Sequence, residues 1–495
     1  LSFVRTGNAG SDASNVFKTI SVSGQSDIVA DSAIDTLTLA NGSGIAITTN
    51  AGTDTITIAA TSSGTSLSGS TNNTVATVTG ANAIQGEANL TFDGNVLAVP
   101  DGAVATPSLT NTGDLNTGVY FPAADTVGVV AGGTEQFRFG SNPIPGGSKN
   151  LIYNGEMTVD QRAGETRTGL GASAVYNIDG WNYGPSGSPT GRFTLSRGTG
   201  LAALGYANSL RVEVTTADSA LAANALYSYV TYVEAQNLQH LKYGTASAEA
   251  VTLSFAVVTD TAAEFTAMII APDGSRSYST GYTVSSADTA QEFSLTFPGD
   301  ASGTITDNTG RGFEVVFTLA AGSNFRGGTE DAWGAEANNK YGAGMTSNMF
   351  DTNGNYWEIS GVQLEVGSIS TSYAHEDYGT TFIKCQRYFQ TIESPGGATT
   401  AIAWPGVCDS ATAAYAYYRL PVQMRAAPTV TLDGDPSGAD RVYFSSVNRL
   451  SAYGSAGYLT TDSGYLTLVL TGATAGQVGR WSLGAGSNIR WSAEL

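Results

Sequence analysis

The chain contains 495 residues, of which 42 are acidic and 22 basic, so its formal net charge at pH 7 is −20. Proteins that bind nucleic acids need a basic surface to displace counterions, and this balance argues against DNA or RNA as a partner. Charged residues make up only 13% of the chain while glycine occurs 61 times, which favours short strands and tight turns over long amphipathic helices.

The sequence argues against several other classes of protein. It has no run of about 20 apolar residues, so we expect no membrane insertion. It begins at Leu1 without a signal-peptide pattern, which predicts synthesis in a cytoplasm followed by assembly into a larger particle. Cys385 and Cys408 match no zinc or redox spacing and are expected to be reduced, packed thiols. His240 and His375 are the only histidines, too few for a His-ligated zinc site and not placed for Ser-His-acid catalysis.

Residues 1–148 are predicted to form very short strands. The alternating pattern of residues 35–39 recurs at 54–58, and residues 44–48 alternate between them. Each such strand offers one thin apolar row, and one chain cannot bury enough of these rows to offset its conformational entropy. We therefore expect these strands to stack along an axis or to wind together with the same strands of identical chains. The alternative is that residues 1–148 form a disordered linker. Two prolines and two glycines within 141–147 mark a boundary.

Residues 149–378 are predicted to form an antiparallel β-sandwich. Alternating apolar residues occur at 210–214, 251–257, 293–297 and 313–319, separated by polar turns. At residues 357–367, the apolar positions change parity at Gly361, as expected for a strand with a β-bulge. We expect Trp357 and Leu364 to lie in the core of this domain.

Residues 379–392 are a predicted connector, and residues 393–495 a small β-unit rich in tyrosine and tryptophan. Proteins bind sugars with aromatic rings against the C–H faces and with carboxylate, amide and guanidinium groups against the hydroxyls. Loops on a rigid sandwich often carry such residues. We therefore select residues near turns as glycan-binding candidates, although each aromatic has a core or oligomer-interface role as its alternative: Tyr443, Tyr453, Tyr458, Asp433, Asp435, Arg441 and Arg449.

Several segments resemble bacteriophage tail-fibre proteins. Residues 73–94 and 107–138 resemble shaft repeats, and residues 357–367, followed by Cys385-Gln386-Arg387-Tyr388-Phe389, resemble a segment that precedes the receptor-facing tip. Residues 150–157 and 357–367 are similar to the first and last strands of jelly-roll carbohydrate-binding modules. Between them, Gln161-Arg162 and Asp179-Gly180-Trp181 occur in the expected order. The sequence departs from the pattern at residues 375–377, His-Glu-Asp.

The resemblance implies an all-β, homotrimeric fibre of the virion. In order, it comprises an attachment and shaft region (1–70), shaft repeats and linker (71–148), a jelly-roll domain (149–378), the connector and a small β-sandwich tip (393–495). Its expected partners are itself, other tail or baseplate proteins through the N-terminal region, and a host surface glycan, capsule or lipopolysaccharide, bound during adsorption. By analogy with jelly-roll modules, Glu156 with Glu358 or Glu365 would hold a structural calcium ion.

Two alternatives to the adhesin stay open. A tail depolymerase needs only a pair of carboxylates, which 42 acidic residues offer many times, but the sequence shows neither a β-helix nor a propeller repeat. The other alternative is a structural collar or whisker-like fibre that binds no ligand.

Overall fold

The computed structural model describes residues 19–32, 35–61, 66–68, 73–80, 83–139, 149–162, 167–171, 173–393, 402–433, 441–444, 447–448, 450–457, 459–483 and 487–495. The chain forms two compact units, Leu1–Asn142 and Pro143–Leu495. The predicted linker at 141–147 lies outside the described residues. The all-β prediction is confirmed, because strands dominate both units.

The first unit consists of small antiparallel sheets and one parallel strand pair. Its strands are β1 (Thr19–Ile20), β2 (Ile28–Val29), β3 (Ile45–Asn50), β4 (Thr55–Ala60), β5 (Ser66–Ser68), β6 (Thr74–Gly80), β7 (Ala83–Phe92), β8 (Leu97–Ala98), β9 (Leu109–Asn111), β10 (Asp114–Tyr120), β11 (Val127–Ala131) and β12 (Thr134–Phe139). β9 to β12 form a four-stranded meander, and β5 runs parallel to β7.

Two of the three short strands predicted near the start of the chain form a hairpin. β3 pairs with β4 from Ile45 opposite Ala60 to Asn50 opposite Thr55. The strand predicted at 35–39 is wrong, since these residues adopt no regular structure. The Asp35 carboxylate accepts hydrogen bonds from the backbone N–H groups of Asp31 and Thr36. Local side-chain bonds of this kind compete with pairing to a neighbouring strand.

The strands of the first unit leave large apolar side chains exposed. On β12, Phe137 and Phe139 are 65% and 63% exposed. They lie opposite Val129 and Val127 of β11, and directly opposed residues share one face of a sheet. A single chain therefore leaves this apolar face in contact with water, as the sequence predicts for these thin rows.

The second unit begins with a two-sheet sandwich. Its strands are β13 (Arg167–Leu170), β14 (Val175–Tyr176), β15 (Asn182–Tyr183), β16 (Arg192–Gly198), β17 (Ser209–Thr216), β18 (Leu226–Glu234), β19 (Val251–Thr259), β20 (Ala263–Ala271), β21 (Arg276–Val284), β22 (Gln291–Phe297), β23 (Arg311–Ala321), β24 (Gly334–Ala335) and β25 (Tyr356–Val366). One sheet has the order β13-β16-β17-β25-β19-β22 and the other β14-β15-β18-β23-β20-β21-β24. The chain passes repeatedly between the two sheets, and together they form the predicted antiparallel sandwich.

The predicted bulge in β25 is confirmed. Ser254 of β19 lies opposite Gln363 while Ala256 lies opposite Ser360, so β25 has one extra residue in this interval. Gly361 lies there with φ +62°, a conformation that glycine adopts without strain. Trp357 and Leu364, on either side of the bulge, are fully buried in the sandwich core as expected.

Residues 150–157 do not form the first strand that the resemblance implies. Asn154 and Met157 have φ of +54° and +57°, which breaks an extended conformation. The segment still follows β25: Leu151 N donates to Leu364 O at 2.9 Å and Val362 N donates to Gly155 O at 3.0 Å.

The rest of the second unit is a short helix followed by two smaller sheets. Its elements are α1 (Tyr378–Gln386), β26 (Phe389–Glu393), β27 (Ile402–Cys408), β28 (Ala413–Arg419), β29 (Thr429–Asp433), β30 (Arg441–Phe444), β31 (Val447–Asn448), β32 (Leu450–Gly457), β33 (Ser463–Leu470), β34 (Val478–Leu483) and β35 (Asn488–Ser492). β26-β35-β29 and β31-β30-β34-β27-β28-β33-β32 are antiparallel and enclose a second core, which includes Trp481 and Trp491. The predicted connector, residues 379–392, therefore consists of nearly all of α1 and most of β26.

Five 3-10 helices complete the secondary structure of the described residues: Ala202–Leu204, Ala235–Leu241, Pro272–Gly274, Ser323–Phe325 and Asn338–Lys340. Cys385 and Cys408 are buried free thiols, as predicted. Within the described part of the chain, no helix combines the length and apolar character needed to cross a bilayer.

Candidate functional site

The glycan-binding residues predicted in the C-terminal β-unit are only partly described. Tyr443 and Arg441 lie on β30, opposite Arg480 and Ser482 of β34. Three further candidates, Tyr458, Asp435 and Arg449, lie outside the described residues.

The two candidates with described side chains differ in environment. Tyr453 on β32 packs against the second core, and its ring lies 6.2 Å from that of Trp481 in an edge-on arrangement. Asp433 is exposed at the end of β29, where it lies opposite Asn488. Tyr453 is partly buried, and no contact between Tyr453 and Asp433 is described. Their part in glycan binding stays a prediction.

The three carboxylates expected to hold calcium have separate protein partners. The buried Glu358 accepts hydrogen bonds from Arg211 at 2.5 Å, Ser209 at 2.6 Å and the Gly200 N–H at 2.9 Å. A guanidinium and two neutral donors at the carboxylate oxygens occupy the positions that a cation would need.

The carboxylates of Glu365 and Glu156 also have protein partners. The Glu365 carboxylate accepts from the Thr371 N–H and hydroxyl, both at 2.8 Å, and lies 3.5 Å from Lys149 Nζ. Glu156 lies 2.6 Å from Nδ1 of the exposed His375. Among the described residues, no group of three or more carboxylate, His or Cys side chains is arranged to hold a metal ion. The residues present therefore do not fit a shared calcium ion.

A cavity lies where the sandwich meets the C-terminal β-unit. Its volume is about 310 Å³, at the lower end of the range for ligand pockets. The lining residues are Arg162, Arg167, Ala174, Val175, Tyr176, Asn182, Phe389 and Arg490. Three arginines, two aromatic rings and one side-chain amide thus converge on one space.

The sandwich contributes its open edge to the cavity. β13 and β14 each lie at one edge of their sheet, and within the described residues no further strand pairs with their outer sides. Arg167 begins β13 opposite Leu195, whose side chain is in the sandwich core. Tyr176 on β14 lies opposite Asn182 on β15, and these two side chains share the other face of their sheet because Tyr183, next in sequence, is buried in the core.

The C-terminal β-unit closes the cavity with β26 and β35. Ile489 and Trp491 on β35 are buried in its core, so Arg490 between them projects from the opposite face. Arg490 lies opposite Thr391 of β26, and Phe389, two residues earlier on that strand, projects from the same face. The alternation of these two strands therefore places a guanidinium and a phenyl ring side by side.

Arg162 forms the floor of this junction. Its Nη2 donates to Glu494 Oε1 at 2.6 Å, and its Nη1 lies 3.3 Å from Asp179 Oδ1. The guanidinium carbon lies 3.8 Å from the ring centre of Phe389 and 5.3 Å from that of Tyr176, distances at which cation–π attraction operates. Tyr176 in turn donates its hydroxyl hydrogen to Leu495 O at 2.8 Å.

Burial changes the pKa values of Arg162, Asp179 and Glu494. Two carboxylates share one guanidinium away from water, and desolvation raises the pKa of Glu494 to about 7 and also raises the pKa of Asp179. Burial alone would lower the pKa of Arg162, but the nearby Glu494 and Asp179 outweigh it and raise that pKa. Arg162 therefore remains charged while Glu494 titrates near neutral pH.

The motifs that carry the tail-fibre resemblance meet at this junction. Gln161 binds Asp179 through both its backbone N–H, at 2.6 Å, and its side chain, at 2.9 Å. The same side chain donates to Phe389 O at 2.7 Å, and Tyr388 stacks on Tyr153 with ring centres 4.5 Å apart. The resemblance implied only the order of these motifs along the chain, and the contacts between them come from the structure.

The cavity itself was missed by sequence reasoning. Arg167, Asn182 and Arg490 stand in strands with no recognisable motif, and they come together only through the packing of distant elements. One local signal existed: Arg490 interrupts an apolar strand between Ile489 and Trp491, and such a charged residue marks the face turned away from a core.

Known proteins offer only weak similarity. No protein-family profile and no curated sequence matches the chain. Among solved structures, it is similar to the enzymatically active domain of tailspike protein 4 of bacteriophage CBA120, with 13% identity over 44% of this chain and 21% of that one, and a TM-score of 0.25. It is similar to a family 11 carbohydrate-binding module of Clostridium thermocellum, with 16% identity over 42% of this chain and 98% of that one, and a TM-score of 0.21. The chain spans about a fifth of the tailspike structure. Similarity at this level assigns neither a family nor a function.

Proposed function

We propose that this chain is a subunit of a bacteriophage tail fibre that binds a glycan on the host surface during adsorption. The observation that carries this proposal is the cavity of about 310 Å³ at the edge of the sandwich. Aromatic rings from Tyr176 and Phe389, with guanidinium and amide groups around them, are the side chains that bind the faces and hydroxyls of a sugar ring.

The lining of the cavity supports binding over hydrolysis at this place. Glycosidases need two carboxylates that flank the scissile bond. The described lining residues include no carboxylate. The side chains of Asp179 and Glu494, which lie in the same junction, are buried, and their carboxylates contact Arg162.

The first unit supports assembly of several copies of the chain. The exposed Phe137 and Phe139 on β12, with Val127 and Val129 beside them, form an apolar face that two further copies would cover in a trimer. Three cavities on one fibre, and several fibres on one virion, would convert weak single sites into firm attachment. In this proposal, the N-terminal region also attaches the fibre to another tail or baseplate protein.

A panel of immobilised bacterial capsular polysaccharides and lipopolysaccharides tests the function. We expect the full chain to be retained by a subset of them and to compete with phage adsorption to the corresponding cells. Absence of retention across the panel, together with absence of competition, would overturn the proposal. A rise in reducing ends during retention would identify a depolymerase instead.

A further inference from the structure

The larger C-terminal sheet carries three neighbouring tyrosines on the face turned away from its core. Ala416 of β28 is buried in the second core, so Tyr415 and Tyr417 on either side of it project from the opposite face. Tyr465 of β33 lies opposite Tyr417 and shares this face, because Leu466, next in sequence, is buried in the same core. The side chains of Tyr415, Tyr417 and Tyr465 form the tyrosine platform.

This platform is accessible to solvent. The Tyr417 side chain is 60% exposed, and those of Tyr415 and Tyr465 are partly exposed. Two valines extend the apolar surface: Val407 lies opposite Tyr415 and is 42% exposed, and Val478 lies opposite Val407 and is 71% exposed. Exposed apolar side chains that are contiguous, rather than scattered singly, are typical of a binding surface.

Contacts within the platform fix its rings. The Tyr465 ring centre lies 4.7 Å from that of Tyr415 and 5.8 Å from that of Tyr417. On its other side, Tyr465 faces Gly457 of β32, where a Cβ would lie 2.5 Å from Tyr465 Cζ. The bare backbone of Gly457 thus gives this ring its space. A surface whose rings are already held in place loses little conformational entropy when a ligand binds.

The chemistry of the platform matches a neutral sugar ring. The face of an aromatic ring carries partial negative charge, which attracts the C–H hydrogens on the face of a sugar. Asp409 lies at one edge, where its negative charge raises the pKa of the Tyr415 hydroxyl. This exposed carboxylate can accept hydrogen bonds from sugar hydroxyls and would repel an acidic sugar.

The size of the platform favours a sugar over a second copy of the chain. A stable protein interface takes about 20–30 residues from each partner. The platform and the two valines beside it contribute five side chains: Tyr415, Tyr417, Tyr465, Val407 and Val478. Such an area suits one or two sugar rings.

We propose that the tyrosine platform is a second glycan-binding surface, on which the C–H face of a neutral hexopyranose stacks against the Tyr417 ring. Tyr415 extends the stacking surface, and Tyr465 holds both rings in position. This inference rests on the proposed function and adds to it a site separate from the cavity at the sandwich edge. The ligand must present one ring face that is free of axial hydroxyl groups.

A pair of epimeric sugars tests this requirement. Saturation-transfer NMR with the full chain would compare methyl β-D-galactoside with methyl β-D-guloside, which differ only in configuration at C3. The galactoside has one ring face without an axial hydroxyl, whereas the guloside has an axial hydroxyl on each face. Methyl β-D-glucoside, which has no axial hydroxyl, is the second neutral probe.

We expect the galactoside or the glucoside to bind about fivefold more tightly than the guloside, because an axial hydroxyl holds the C–H face away from the ring. Saturation of the galactoside should be strongest at H3, H4 and H5, which lie on its free face. Equal binding of all three sugars, or no binding of either the galactoside or the glucoside, would show that the inference is wrong.

Variants then locate the binding. Tyr417→Ala should weaken binding of the galactoside or glucoside about tenfold, whereas Tyr417→Phe should retain it because the ring face remains. Tyr378→Ala is the matched control: Tyr378 on α1 is also 60% exposed, and its ring stacks on that of Phe382 with centres 5.9 Å apart, outside the platform. This control should leave binding unchanged. Equal melting temperatures would show that the variants are folded.

The outcomes separate this inference from the proposed function. Retention on bacterial polysaccharides that Tyr417→Ala and Tyr465→Ala leave unchanged would overturn the platform and leave the adhesin standing. A lower solution mass for Tyr417→Ala would assign this face to contact between copies of the chain, and would likewise overturn the platform alone. Absence of retention of the unmodified chain on every polysaccharide would overturn both.

Discussion

Arg387 and Glu234 form a bidentate ion pair that joins the C-terminal β-unit to the sandwich. Arg387 Nε lies 2.5 Å from Glu234 Oε1, and its Nη2 lies 2.8 Å from Oε2. Glu234 ends β18 and is fully buried, and the Tyr388 hydroxyl donates to the same carboxylate at 2.8 Å. The Gln-Arg-Tyr motif, which begins at the last residue of α1, thus places a cation beside a buried carboxylate of the sandwich.

Removing Arg387 should loosen this junction. Arg387→Met leaves the buried Glu234 carboxylate with two neutral side-chain donors, the Tyr388 hydroxyl and the Gln236 amide, and no described cation. The loss of one partner from a buried ion pair typically costs about 3–5 kcal/mol. We expect a lower urea-unfolding midpoint for Arg387→Met, and a smaller loss for the double variant Arg387→Met with Glu234→Gln. A double variant as unstable as the sum of the single ones would contradict the pairing.

The bulge glycine of β25 should tolerate no side chain. A Cβ at Gly361 would lie 2.3 Å from the Tyr206 ring, and its φ of +62° is unfavourable for other residues. We expect Gly361→Ala to lower the free energy of unfolding by more than about 2 kcal/mol.

Gly354 provides the matched control for that substitution. Its φ is +91°, but a Cβ there would meet no atom within 4 Å. Gly354→Ala should therefore cost only the backbone strain, on the order of 1 kcal/mol. Equal losses for the two variants in urea unfolding would show that the contact with Tyr206 is unimportant.

Stability should fall as pH rises towards neutral. Burial raises the pKa of Glu494 from its ordinary 4.5 to about 7, so the folded protein binds a proton that the unfolded chain releases. Proton binding by Glu494 therefore contributes on the order of 3 kcal/mol to the free energy of unfolding. This stabilisation is fully present below about pH 4.5 and is lost as pH rises through about 7.

Thermal unfolding between pH 5 and pH 8 tests this assignment. Glu494→Gln keeps an acceptor for Arg162 but does not titrate, so it should flatten the decline in melting temperature. Asp433→Asn, at an exposed carboxylate of the same β-unit, is the control and should leave the pH profile as it is in the unmodified chain. A decline that persists in Glu494→Gln would exclude Glu494 as its cause.

The apolar face of the first unit predicts an oligomer. We expect a solution mass near three times 50.8 kDa, measured by sedimentation equilibrium. Replacing both exposed rings, Phe137→Ser with Phe139→Ser, should shift the protein towards the monomer because the covered apolar area is lost. Val478→Ser removes an apolar side chain that is 71% exposed in the second unit, and should leave the mass unchanged. A monomeric mass for the unmodified chain would end the trimer proposal.

The sequence by itself determined the strands and much of what they bury. Alternation at 210–214 and 313–319 predicted strands whose apolar side chains lie in the core, and the parity change at Gly361 predicted the bulge. These features depend on the two-residue period of a strand, which is written locally in the chain. Where a side chain binds the backbone of nearby residues, as Asp35 binds the N–H groups of Asp31 and Thr36, the same pattern failed.

Only the tertiary structure decided where charged groups meet. Arg162 and Glu494 are 332 residues apart, and Arg387 and Glu234 are 153 apart. Such pairs depend on which strands become edges and on how two cores pack together, and no local period encodes either. The sequence directed attention to turns beyond Ile392, whereas the cavity lies at the edge of the sandwich. Two hydrophobic cores that are buried separately leave polar faces, and these faces line the space between them.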